Sequence, residues 1–200
     1  MFVEPLITEG KRGWIEVICG SMFSGKTEEL IRRLKRAQIA HLKVAIFKPA
    51  VDTRYHADHI VSHDERALTS IAVDRSTELL EHCQAIKDLA VAAIDEAQFF
   101  DDHLPQVCEQ LAARGIRVIA AGLDMDYKGQ PYGPVPALLA KADYITKLHA
   151  ICMQCGNIAS FTYRKSQDTE QFKLGKKDLY EPRCRDCFFK GQNSGKEGDF

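Results

Sequence analysis

Trp14-Ile15-Glu16-Val17-Ile18-Cys19-Gly20-Ser21-Met22-Phe23-Ser24-Gly25-Lys26-Thr27-Glu28-Glu29-Leu30 is the stretch on which the reading of this chain turns. Its first six residues form an apolar run of strand length that stops at Gly20. Gly20 to Thr27 fit G-x-x-x-x-G-K-[ST]. From Lys26 to Ala40, Leu30, Ile31, Leu34 and Ala37 recur at helical spacing, with Arg32, Arg33, Lys35 and Arg36 expected to turn elsewhere. A strand, a glycine-bounded turn and a helix, in that order, make a cradle for phosphate. The glycines let backbone N–H groups face the anion, and the helix N-terminus adds a favourable dipole. Lys26 is then expected to reach the β- and γ-phosphates, and the Thr27 hydroxyl to ligate Mg²⁺. The plain alternative, a chance match on a glycine turn, is disfavoured by the strand and helix on either side.

Working outward, the chain alternates apolar runs with amphipathic ones. Strands are expected at Val44 to Phe47, weakly at Ile71 to Val73, and at Ala90 to Ile94, Val118 to Leu123 and Tyr144 to Ile151. Helices are expected from Ser76, read as a cap, with Leu79, Leu80, Cys83 and Ile86 on one face, then from about Leu104 to Arg114 before Gly115, and from Val135 to Ala142. Residues 52–66 are polar, histidine-rich and aperiodic, hence a loop. This alternation predicts an α/β fold, a parallel sheet with right-handed crossovers, flanked by helices on both faces.

A phosphate loop needs an acid at the end of a neighbouring strand to hold the metal. Asp95 follows the run Ala90 to Ile94 and supplies one, and Glu96 beside it is a candidate to accept a proton from an acceptor hydroxyl. An N-cap role for Asp95 and a solvated loop acid at Glu96 stand beside these readings.

Composition shifts at Cys152. Cys152-x-x-Cys155 and Cys184-x-x-Cys187 offer four thiolates at zinc spacing, and four cysteines with no open position describe a structural site. The gap from 156 to 183 exceeds that of a compact zinc module, so the loop has further work. Cys19, Cys83 and Cys108 lie in apolar stretches and read as buried small hydrophobes. The organisation expected is residues 1–150 as a phosphate-binding α/β domain, 151–190 as a zinc-ribbon-like lid domain, and 191–200 as a disordered tail. Lys190 to Phe200 has almost no apolar residue.

With 45% hydrophobic and 28% charged residues among 200, the chain has the composition of a soluble globular protein. A net charge of −1 gives no basic field for nucleic acid. No membrane span or signal peptide is read, and seven cysteines, an odd number, suit a reducing, cytoplasmic setting.

Several separated segments resemble the zinc-containing (type II) thymidine kinases. They are Gly20 to Leu30, Lys48 to Tyr55, Asp95 to Phe100, Gly122 to Tyr127 with Pro131-Tyr132-Gly133, and the zinc segment ending Tyr180-Glu181-Pro182-Arg183-Cys184. The likeness runs in order over about residues 14 to 188. It implies transfer of the ATP γ-phosphoryl group to the 5′-hydroxyl of thymidine and deoxyuridine, for salvage of DNA precursors, with feedback by thymidine triphosphate. Carried over residue by residue, it makes Glu96 the general base and Asp95 the acid near Mg²⁺. Gly20, Ser21, Met22, Phe23, Ser24, Gly25, Lys26, Thr27, Ala97 and Gln98 then serve ATP, and Arg54 meets phosphate or acceptor. Met22, Phe99, Leu123 and Thr162 would line the base pocket, with Tyr180 near the sugar. The loop between the cysteine pairs would fold over the nucleoside, and a homotetramer would form. ATP, Mg²⁺ and structural Zn²⁺ are the implied cofactors, with no nucleic-acid or membrane partner. Another phosphate-loop enzyme, or a zinc ribbon on nucleic acid, are the rival readings.

Overall fold

The computed structural model describes residues 13–51, 59–60, 68–165 and 179–194. The expected loop over 52–66, Arg54 within it, the lid stretch 166–177 and residues 195–200 lie largely or wholly outside them.

Apolar alternation in the first strand explains the layers. Within β1 (Trp14–Gly20), Ile15, Val17 and Cys19 face one cluster and Ile18 the other, so both faces are covered. A single helix, α1 (Lys26–Ile39), covers the second face through Leu30, Ile31, Leu34 and Ala37. The first face is covered by α2 (Ser76–Ala85), α3 (Leu104–Ala113) and α4 (Val135–Lys141). The remaining strands of the sheet are β2 (Val44–Pro49), β5 (Ile71–Val73), β6 (Val91–Ile94), β7 (Arg117–Gly122) and β8 (Tyr144–Leu148). A two-residue pair, β3 (His59–Ile60) and β4 (Leu68–Thr69), stands apart. The sheet order is β5-β2-β6-β7-β1-β8, and every pairing is parallel. The α/β expectation holds.

Four local readings need correction. Arg33 does not turn away from the core. It is fully buried, its guanidinium donating to Glu16 at 2.7 Å, to Glu29 at 2.8 Å and to Thr146 at 2.8 Å. Glu16, in mid-strand, also accepts from Arg117 and from the Trp14 indole, both at 2.6 Å. A buried carboxylate with that many donors is tolerated because each charge is matched. Ser76 is the first helical residue, not the cap; Arg75 precedes it in extended conformation, and Asp101 takes both the Ser76 N–H (2.9 Å) and hydroxyl (2.6 Å). The strand expected over 144–151 divides into β8 and a separate β9 (Ala150–Ile151). Finally, α5 (Arg185–Ser194) is helical through four residues of the stretch expected to be disordered.

The C-terminal module is small. β9 pairs antiparallel with β10 (Ile158–Ala159), and β11 (Phe161–Arg164) with β12 (Tyr180–Arg183). Phe188 of α5 stacks on Phe161 with ring centroids 4.6 Å apart, which docks the helix on the ribbon.

Candidate active site

Gly20 ends β1 at φ 142°, a region in which side chains are strained, and a Cβ there would run into the Leu148 carbonyl of β8. The turn closes at Gly25, the left-handed N-cap of α1. Between them the Ser21 and Ser24 hydroxyls are buried without a hydrogen-bond partner. Orphaned buried donors in a glycine-bounded loop at a helix N-terminus suit an anion with many oxygens. The Lys26 ammonium folds back to donate to the Ser21 carbonyl at 2.7 Å. Burial pushes Lys26 below the usual lysine range, and Glu96, Asp95 and Asp124 pull it back up. A bound polyphosphate would do the same more strongly.

The acid does not sit where a neighbouring strand would put it: β7 intervenes between β1 and β6. Asp95 at the end of β6 nevertheless accepts from the Thr27 hydroxyl at 3.4 Å, bridging the gap. An oxygen pair of this kind, one hydroxyl and one carboxylate beside a phosphate cradle, is the donor set Mg²⁺ takes in such sites. Glu96 adopts φ 51°, ψ 43°, a left-handed conformation rare for this residue, and opens a short 3-10 turn, Ala97–Phe99.

Asp124, Asp126 and Tyr132, which the sequence offered only within resembling segments and without a role of their own, lie close by. Asp124, just past β7, is 7% exposed and pairs with Lys147 at 2.6 Å, while its Oδ1 lacks a partner. Asp126 caps its own turn, Oδ1 accepting from Lys128 N at 2.8 Å and Gln130 N at 2.9 Å. Tyr132 meets Phe99 edge-on at 5.8 Å, and burial raises its hydroxyl to about 12. Asp126, Tyr180 and Glu96 raise it further and Arg164 lowers it. The alternating acids of Asp124-x-Asp126 directly after a buried strand were the available signal; nothing in the sequence marked Arg164.

The C-terminal segment meets the phosphate loop. The P-loop N–H of Met22 donates to Thr162 Oγ1 at 3.0 Å, joining two residues assigned to the base pocket. Tyr180 sits across from Arg164, accepting its guanidinium N–H at 2.6 Å, and that guanidinium lies 3.7 Å over the Tyr127 ring. Leu123 donates its N–H to Gln98 at 2.9 Å.

Cys152, Cys155, Cys184 and Cys187 converge, all four sulfurs within 4.8 Å of one another and one pair at 3.6 Å. Sulfurs at about 2.3 Å from a tetrahedral zinc stand about 3.8 Å apart, so the set fits that ion. Cys19, Cys83 and Cys108 are buried apart from it, and burial raises their thiols to about 11, 12 and 12, which leaves them inert.

A family model described as thymidine kinase matches residues 13–188. The chain belongs to the thymidine kinase family. It is 54% identical over 199 residues to a protein of Bacteroides thetaiotaomicron, covering 99% of this chain and 98% of that one. It is 56% identical over 191 residues to one from a Rhodothermus species, covering 94% and 88%, and 53% identical over 180 residues to one from Porphyromonas gingivalis, covering 90% and 87%. Each of the three is named thymidine kinase. Among the described residues no helix is long and apolar enough to cross a membrane.

Proposed function

We propose that this chain transfers the γ-phosphoryl group of ATP to the 5′-hydroxyl of thymidine, and of deoxyuridine. The observation that carries the reading is the meeting of Lys26, Thr27, Asp95 and Glu96 at one end of the sheet, faced by Thr162 of the zinc module. Gly20 to Thr27 would hold the triphosphate, with Lys26 on its terminal phosphates. Thr27 and Asp95 would hold Mg²⁺, which when bound supplies charge neutralisation to the phosphates. Glu96 would take the proton of the 5′-hydroxyl. Met22, Phe99, Leu123 and Thr162 would line the base site and Tyr180 the sugar. Ala97, Gln98 and Arg54 belong to the same segments by resemblance, Arg54 lying outside the described residues. Zinc on the four cysteines would anchor the C-terminal segment, with no part in the reaction. Position and electrostatics supply most of the acceleration in such transfers, and a module covering the nucleoside excludes the water that would otherwise hydrolyse ATP. The family resemblance further suggests a cytoplasmic homotetramer that thymidine triphosphate inhibits.

A coupled assay with ATP and each deoxynucleoside in turn tests this. Thymidine should be used best and deoxyuridine about 10–200-fold less well, the range a lost methyl allows in an apolar pocket. Deoxycytidine would leave buried polar groups unpaired. Equal turnover of deoxycytidine and thymidine would sink the proposal, as would inhibition by thymidine triphosphate that thymidine cannot relieve.

A further inference from the structure

The Gln98 side chain is 3% exposed and spends both ends of its amide within the site. Its Oε1 accepts from the Leu123 N–H at 2.9 Å, and its Nε2 donates to Glu96 Oε2 at 2.5 Å. These two bonds fix each other. A backbone N–H can only donate, so Leu123 dictates that the amide oxygen faces it, which leaves only donors to face Glu96. Turning the amide over would set its oxygen against a carboxylate and its N–H₂ against another N–H. The surroundings are closed as well. A Cβ on Gly122 would press on Gln98 Oε1, and one on Gly133 would collide with the Gln98 carbonyl. Glu96 meanwhile holds a sparsely populated backbone conformation, which persists only where neighbours over-determine it. Asp95 alongside, Lys26 at the start of α1 and Tyr132 beyond β7 are titratable groups that interact with it.

We propose that Gln98 is the positioning residue of this reaction: it aims the Glu96 carboxylate and locks it to the Leu123 backbone at the end of β7. The inference rests on Glu96 being the base. It ties the base and a residue of the nucleoside pocket into one rigid unit. A shift in the pocket therefore reaches the proton acceptor directly, and a misplacement of about 1 Å costs on the order of 10²-fold in rate.

Steady-state kinetics on Gln98→Glu, Gln98→Met, Glu96→Gln and the double variant Glu96→Gln/Gln98→Met decide it. Gln98→Glu keeps length and the acceptor for Leu123 but loses the donor to Glu96. Gln98→Met loses both. Each should lower kcat about 10–100-fold while KM for ATP and thymidine stays within about threefold. On the Glu96→Gln background, Gln98→Met should cost less than about threefold more, because residues acting through one another are not additive. Wild-type kcat in Gln98→Glu overturns the proposal, since it would show that only the Leu123 bond matters. Losses that multiply in the double variant overturn it too. Should Glu96→Gln itself keep wild-type kcat, the base assignment fails and takes this inference with it. If Glu96→Gln is crippled and Gln98→Glu is not, this inference fails alone. Melting temperature and zinc content confirm that each variant is folded.

Discussion

Lys26 and Glu96 lie in one site and should fail differently when changed. Lys26→Ala removes the charge proposed to meet the terminal phosphates, so ATP binding measured by calorimetry should weaken together with turnover. Glu96→Gln should bind ATP as the wild type does and lose about 10²–10⁴ in kcat. Near wild-type kcat in Glu96→Gln would end the base assignment. Glu29 carries a pH signature of a structural kind. Hydrogen bonds from Arg32 and then Arg33 hold its carboxyl down to about 2, despite partial burial. A carboxyl that is more acidic in the folded state stabilises above its ordinary value of 4.5 and loses that contribution as pH falls toward about 2. The stability difference between wild type and Glu29→Gln, followed by denaturant titration, should thus be constant above about pH 5 and shrink below it. Single residues were legible where chemistry demands a fixed spacing, as at Lys26, Thr27 and the cysteines. Glu16 and Arg33 were not, because a buried ion pair is made by two elements and each half alone looks like ordinary polarity. Gln98 was named only through the resemblance, as a residue serving ATP; its hydrogen bond to Leu123 is made only because the fold brings that residue to it.

The elements show the same division. α2 starts without a side-chain cap of its own, and Asp101, which follows the 3-10 turn, supplies the missing acceptor. Asp101→Ala should therefore destabilise the protein by about 0.5–2 kcal/mol, the usual cost of a lost cap, seen as a lower denaturant midpoint with unchanged slope. A midpoint equal to that of the wild type would mean that Ser76 finds another partner. Apolar periodicity gave the strands and helices of the sheet domain, since burial on both faces leaves near-continuous runs. It could not give sheet order. The pattern of a strand records how it is covered, not which strand lies beside it, so the placement of β7 between the phosphate-loop strand and the Asp95 strand is learned only from the structure. The short ribbons β9 to β12 escaped for another reason: they are held by cysteines and stacked aromatics, with too few residues for any period to show.

At the scale of the molecule, the cysteine-bearing C-terminal segment touches the sheet segments through Met22 and Thr162 and through Tyr127 and Arg164. Elemental analysis should find one zinc per chain. Its removal by a chelator should abolish activity while leaving the parallel sheet folded by circular dichroism, because a zinc ion on the four cysteines would organise the segment that carries Thr162 and Tyr180. Full activity after verified zinc loss would contradict this. The order β5-β2-β6-β7-β1-β8 also has a consequence for how the chain is made. The strand that leads into the phosphate loop is an inner one, and both of its partners, β7 and β8, are encoded far downstream. Until Arg117 to Leu148 have emerged, the strand leading into the phosphate loop has two unpaired edges and an apolar surface on each side. Pairing of such sequence-distant segments is slow, and the waiting intermediate is prone to aggregate. The strand that leads into the phosphate loop thus completes its sheet pairing only late in the synthesis of the chain.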